Sequence, residues 1–184
     1  MGVIFRAADD VAELLIPFVE HAGGITDAKA IEAAYLDASL GAIDADHFWR
    51  TVGLDPTRED EYLSGHSLVH GVEEFLQRAK RVKIPVWCLS NDIGRWSRKL
   101  RARFQIENLF SGAIISSDVG ARKPDRAIYQ CLLDQSGFRP EDLFFVDARA
   151  KNIDAAIALG IPALHFDSKI GFRDLLNQQS GTAS

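Results

Sequence analysis

The sequence predicts an α/β fold, a parallel sheet core with helices on both faces and a small all-helical segment inserted after the first strand. From Val72 onward, short apolar runs alternate with segments of helical periodicity. Residues 10–66 show helical spacing throughout, with no β-branched or alternating run. A three-residue apolar run, Val3-Ile4-Phe5, stands ahead of both. Regular strand–helix alternation implies βαβ units, whose crossover helices cover both faces of a parallel sheet. An insertion that leaves from the carboxyl end of a strand hangs over the edge where open sheets bind ligands, so it would act as a lid.

In chain order, Val3–Phe5 suits a buried strand that ends at Arg6. Val11, Leu14, Leu15, Phe18, Val19 and Ala22 then recur at helical spacing behind Asp9 and Asp10, either of which could cap the helix. Pro17 should kink that helix and Gly23-Gly24 should end it. Thr26 or Asp27 opens a helix through Ile31 and Tyr35, Asp44 opens another through Phe48 and Val52, and Pro56 separates a short third. The expected division is therefore an α/β core of residues 1–9 and 67–184 and a helical cap of residues 10–66. Within the core, strands are expected at Ile84–Leu89, Ala113–Ile115, Leu143–Val146 and Ala163–Phe166. Helices are expected around Val72–Ala79, Trp96–Phe104, Asp125–Ser136 and Asn152–Leu159. The polar tail from Gln178 should fray.

The 184 residues are 47% apolar and 26% charged, an ordinary globular composition with enough chain for a sizeable core. A net charge of -5 gives no general attraction to nucleic acid or to an anionic membrane, so neither is an expected partner. No apolar run reaches the length of a membrane span, and MGVIFRAADD lacks the pattern of a secretory signal. Cys88 and Cys131 are far apart in sequence, with no nearby histidine cluster. Buried free thiols and a cytoplasmic location are the expectation.

The expected strand ends carry chemistry. Arg6 follows the first strand, Ser90-Asn91 follows Ile84–Leu89, Lys123 lies in the loop after Ala113–Ile115, and Asp147 ends Leu143–Val146. Parallel strands share one carboxyl edge, so these residues can line one pocket. Ser90 and Asn91 offer hydrogen-bond donors and Lys123 a compact positive charge, a set suited to phosphate or another anion. Each also has a local reading, as a turn residue, a helix cap or a solvated lysine before proline.

With these motifs in order, the chain resembles the haloacid dehalogenase-like (HAD) hydrolases, in particular the phosphatase branch with a small helical cap and a Rossmann-like core. VWCLSN matches the family's second motif at Ser90, SSDVGARKPDRAIY its third at Lys123-Pro124, and FFVDARAKNIDAA its fourth at Asp147. The resemblance implies that Ser90 and Lys123 hold a phosphoryl group and that Asp147 helps bind magnesium.

The family's first motif, Asp-x-Asp, supplies the nucleophile and the acid/base. An ungapped alignment of VIFRAADD puts Arg6 and Ala8 at those positions, and neither can do that work. The fourth motif has Ala148 where many relatives carry a second acid, and Asp118 is a weaker candidate acid near the pocket. Asp9 or Asp10 as a relocated nucleophile lies three or four residues beyond the strand end, at about 3.3 Å per extended residue, further than reaction geometry tolerates. Arg6 is expected instead to pair with Asp147 and to bring positive charge where the metal would sit. The expected function is a phosphate-binding, catalytically impaired HAD-like protein with no cofactor, acting in regulation or in the binding of a small phosphorylated or other anionic ligand. The alternative is an active phosphatase using Asp9 or Asp10 with magnesium. A homo-oligomer or a partner-binding cap displaying Phe48 and Trp49 is a further option. His47, His66 and His70 lack the spacing of a metal site backed by other ligands.

Overall fold

The computed structural model describes residues 2–7, 9–166 and 172. Ala8 and the polar tail from Gln178 lie outside these residues, as does most of the segment from 167 on. The helical region begins with a π-helical turn at Val11–Leu15 that runs into α1 (Ile16–His21), with Pro17 in the first turn of α1, where a missing N–H costs nothing. Next come α2 (Ala28–Ser39), α3 (Ala45–Thr51) and α4 (Glu59–Ser64). Asp27 accepts hydrogen bonds from the backbone N–H groups of Lys29 and Ala30, and Asp44 accepts one from that of His47. These caps satisfy donors that the helix itself leaves unpaired, which is why the sequence starts helices there.

The α/β part follows as α5 (Val72–Arg81), β1 (Trp87–Ser90), α6 (Gly94–Arg103), β2 (Gly112–Ile115), α7 (Ser116–Val119), α8 (Arg126–Ser136), β3 (Phe145–Asp147), α9 (Ala150–Ala158) and β4 (Ala163–His165). All four strands pair in parallel, as expected, but in two separate ladders. Strand β1 pairs with β2, Trp87 opposite Gly112 and Ser90 opposite Ile115, and β3 pairs with β4, Phe145 opposite Ala163 and Asp147 opposite His165. Gly112 is required by close approach, since a Cβ there would run into the Trp87 ring.

The first expected strand is corrected. Val3–Phe5 joins neither ladder; Phe5 makes an isolated antiparallel bridge with Leu68. Gly2 N–H donates to the Phe5 carbonyl (3.0 Å), Arg6 N–H to Ser67 (2.9 Å) and Val69 N–H to Ile4 (2.9 Å). The carbonyls of Ile4 and Phe5 and the N–H of Arg6 are thus taken by residues 67–69 and by a local turn in place of a ladder.

Two apolar clusters hold the molecule. One is aromatic-rich and runs from Phe5 through the helical region into Trp96 and Leu100 of α6; the other packs β2 and β3 against α8 and α9 through Ile114, Ile128, Tyr129, Phe145 and Ile153. Phe48 and Trp49 are fully buried in the first, which makes them core and not a partner surface. Among the described residues no helix is long and apolar enough to cross a membrane.

Candidate ligand site at the carboxyl edge of the strands

Asp147 ends β3 with a side chain 8% exposed, and its two oxygens are fully engaged. Oδ2 accepts from Lys123 Nζ at 2.7 Å, and Oδ1 accepts from the Arg149 backbone N–H (2.8 Å) and Asn152 Nδ2 (3.0 Å). Burial pushes the Asp147 carboxyl up, but the Lys123 charge and these hydrogen bonds outweigh it and hold the group below the usual carboxylate range.

Lys123 reaches the site from the loop between α7 and α8. Its ammonium also donates to the Leu89 carbonyl at 2.7 Å, so one side chain ties the end of β1 to the end of β3. An ammonium has three N–H bonds, and these contacts take two. Asn91 fixes the lysine: its Oδ1 accepts from the Lys123 backbone N–H (2.8 Å) and its Nδ2 donates to the Lys123 carbonyl (2.9 Å). Asn91 is thereby a positioning residue, with both ends of its amide occupied, and not the free donor that the sequence suggests. Ser90, Lys123 and Asp147 line one cavity of about 450 Å³ between the two ladders.

The expected Arg6–Asp147 ion pair is not formed, and Lys123 takes that place. Arg6 is exposed and borders a separate cavity of about 200 Å³ with Glu13, Gly65 and His66. The turn at residues 2–5 and the bridge to Leu68 turn Arg6 toward that cavity, while Val3, Ile4 and Phe5 themselves line the larger one beside β3. The Ala8 position lies outside the described residues. Asp9 is exposed and pairs with Arg149 at 3.4 Å, which brings it to the loop just after Asp147.

Asp10 is buried, and its charge acts on Asp92, two residues beyond Ser90, and on Tyr35, Tyr62 and His66. Burial and the Asp10 charge push Asp92 up to about 7, and burial followed by the same two acids raises Tyr35 and Tyr62 well above the usual phenol value. His66 is buried, with neither ring nitrogen hydrogen-bonded among the described residues, and burial pulls it down. His47 and His70 are exposed. Asp118 faces α6, where it packs on Gly94 and pairs with Arg98 at 3.4 Å, so it is not an acid of the Lys123–Asp147 site. Cys88 is buried, with burial pushing its thiol up, and Cys131 is half-buried; both are free thiols.

One residue beside the site went unread in the sequence. The Arg122 guanidinium lies over the Tyr35 ring at 5.6 Å, its Nη1 is buried without a partner among the described residues, and the Tyr35 hydroxyl donates to the Asn91 carbonyl (3.3 Å). The only signal was its place next to Lys123.

Magnesium prefers near-octahedral oxygen coordination. Both oxygens of Asp147 already accept from three donors, Ala148 adds no ligand, and among the described residues no three His, Cys, Asp or Glu side chains converge to hold a metal. The described residues do not fit the ion.

A family model described as haloacid dehalogenase-like hydrolase matches residues 8–160. A flavin mononucleotide hydrolase of Arabidopsis thaliana, chloroplastic by its name, is 28% identical over 140 residues, which is 73% of this chain and 57% of that protein. The sesquiterpene phosphatase astK of Aspergillus oryzae is 30% identical over 96 residues, 52% of this chain and 49% of that protein. The chain thus spans about half the length of the curated relatives it matches. A HAD family enzyme of Bacteroides thetaiotaomicron, solved as a complex with magnesium and inorganic phosphate, superposes with a TM-score of 0.81 at 19% identity, covering 95% of this chain and 94% of that one. A HAD phosphatase from Thermococcus onnurineus superposes with a TM-score of 0.69 at 17% identity, covering 91% and 83%. The family model covers most of the sequence and the shared fold nearly all of it: this chain belongs to the haloacid dehalogenase-like hydrolases.

Proposed function

We propose that this chain binds the phosphate of a small phosphomonoester at Ser90 and Lys123, without a metal, and does not hydrolyse it in the form described here. The observation that carries this is the Lys123 ammonium, fixed by Leu89 and Asp147 and retaining one N–H for an anion. Ser90 supplies a second donor from the same cavity. Reaction at phosphorus needs a carboxylate aligned on it to within a fraction of an ångström. Arg6 borders another cavity, and Asp147 already accepts from Lys123, Arg149 and Asn152. The relatives that act on flavin mononucleotide and on sesquiterpene phosphates support a phosphomonoester as the ligand class. A cytoplasmic location and the absence of nucleic acid or membrane partners belong to the same reading, and rest on composition.

Titration calorimetry with inorganic phosphate, with and without magnesium, tests it. Saturable binding that is independent of magnesium and lost in Lys123→Ala is expected; binding that strictly requires magnesium overturns it. The second reading, an active hydrolase, is favoured by the Asp9–Arg149 contact, which holds one carboxylate near the Asp147 loop. Turnover of an aryl phosphate by the unmodified protein, abolished in Asp9→Asn, would establish that reading in place of the first.

A further inference from the structure

Tyr35 stands on α2 with its ring packed edge-on against Phe48 (centroids 6.5 Å apart) and stacked on Trp96 (6.1 Å). A phenylalanine would fill that place as well, so the buried hydroxyl answers to something other than packing. Its described partner is the Asn91 carbonyl, to which it donates at 3.3 Å. Asn91 is also the residue whose side-chain amide takes both backbone groups of Lys123, and the guanidinium of Arg122, one residue earlier, lies over the Tyr35 ring. The other described hydrogen bonds between residues 10–66 and the α/β part end on α6 or on Ser116. Among the described residues of the helical region, Tyr35 alone bonds to the turn that follows β1.

We propose that Tyr35 is a positioning residue for Lys123: by holding the Asn91 carbonyl it fixes the turn whose side chain seats the lysine, and the helical region thereby sets phosphate affinity from outside the cavity. Tyr35 is not among the residues that line the cavity, so its hydroxyl acts through Asn91. The contacts run without a gap. The Tyr35 hydroxyl holds the Asn91 carbonyl, the Asn91 amide holds the Lys123 N–H (2.8 Å) and carbonyl (2.9 Å), and the Lys123 ammonium holds Leu89 and Asp147. Two hydrogen bonds from one planar amide to one residue require a single orientation of the peptide that carries it, because such bonds weaken steeply when bent. Restraining the Asn91 carbonyl fixes that orientation. The effect on affinity rests on the phosphate reading, whereas the seating of Lys123 does not.

Tyr35→Phe in the full chain is the test, since it keeps the ring in its aromatic packing and beneath Arg122 and removes only the hydroxyl. The Lys123 amide, which donates to Asn91 Oδ1, should exchange its hydrogen with solvent about fivefold faster, the scale of one net hydrogen bond. Amides within α2 and α6 should keep their rates. The dissociation constant for inorganic phosphate, measured by titration calorimetry, should rise about threefold to fivefold. In an Asn91→Ala background, where the side chain that seats Lys123 is gone, Tyr35→Phe should change neither quantity. The proposal is overturned if the Lys123 amide keeps its rate, or if α2 and α6 accelerate by the same factor, which marks a merely structural role. It is also overturned if the effect persists in full without the Asn91 side chain, or if a chain that binds phosphate keeps its affinity while the Lys123 amide loosens. If the unmodified chain binds no phosphate, the phosphate reading falls, and the Lys123 amide still decides whether Tyr35 seats the lysine.

Discussion

Where the helical region meets α6, Trp49, Trp96, Tyr62, Phe48 and Tyr35 pack ring against ring with centroids 5.0–6.5 Å apart, and one buried carboxylate accepts from both indoles. Glu59 Oε2 accepts from Trp49 Nε1 (3.2 Å), Trp96 Nε1 (2.7 Å) and Arg95 Nη2 (2.6 Å), while Lys99 reaches Oε1 at 2.8 Å. Between the two ladders the reverse holds: strand edges and half-exposed apolar side chains face a cavity, and a single Lys123–Asp147 pair links the walls at one end. Both regions use one buried ion pair as a tie, but the first tie sits inside a packed core and the second beside open space. The first region is therefore held by one carboxylate with four donors inside a packed core, whereas the ligand edge is organised by one lysine.

That contrast is most directly broken at Glu59. Removing it leaves two indole N–H groups and two cations without their shared acceptor, so Glu59→Ala should lose about 3–5 kcal/mol of unfolding free energy, measured by urea denaturation. Burial pushes the Glu59 carboxyl up, but Lys99, Arg95 and the indoles hold it below the usual range. Its stabilisation is accordingly present above the unfolded pKa and lost as pH falls through the folded one.

At the second tie, Lys123→Met should cost about 2–3 kcal/mol, because Asp147 would keep its backbone and Asn152 donors but lose its cation. Lys123→Met/Asp147→Leu should recover much of that loss, since it replaces both buried charges with apolar groups. If the double variant is as unstable as the single one, Lys123 acts through its contact with Leu89 and not through the pair. Like Glu59, Asp147 is held low and loses its stabilising contribution in acid.

Asp92, beneath the helical region, has the opposite sign. With its folded pKa near 7, above the unfolded value, it binds a proton in the folded state that the unfolded chain has released. Its contribution declines as pH rises from the unfolded carboxylate range toward 7. Asp92→Asn, which keeps an acceptor for the Ile93 N–H (2.7 Å in the native chain), should raise stability by on the order of 1–2 kcal/mol at pH 8 and by much less at pH 4. Thermal melts at the two values check it, and a gain that is the same at both would mean that Asp92 is already ionised at low pH.

What the sequence made legible follows local chemistry. Asp27, Asp44 and Asp125 open helices as expected because a capping carboxylate acts on N–H groups two or three residues away. The strands fall within about three residues of their expected positions, and Ser90, Lys123 and Asp147 share one cavity because parallel strands share one edge. The failures are non-local. Three apolar residues at Val3–Phe5 fit a strand or a turn equally well, and the choice was made by Ser67–Val69, more than sixty residues away. Asn91 reads as a free amide until the Lys123 backbone closes on it.

The smallest expected effect settles the Arg6 question. If Arg6 held Asp147, Arg6→Ala would break a buried pair and cost several kcal/mol, and it would weaken phosphate binding as well. With Arg6 exposed and Asp147 already saturated by Lys123, Arg149 and Asn152, the substitution should change stability by less than about 0.5 kcal/mol and leave phosphate affinity unchanged. Placing aspartates at both Arg6 and Ala8 should for the same reason create no phosphatase activity, because the turn closed by Gly2 and Phe5 and the bridge to Leu68 aim residue 6 away from Lys123. Activity in that double variant would mean that residue 6 can leave this turn and reach Lys123, which the Phe5–Leu68 bridge prevents.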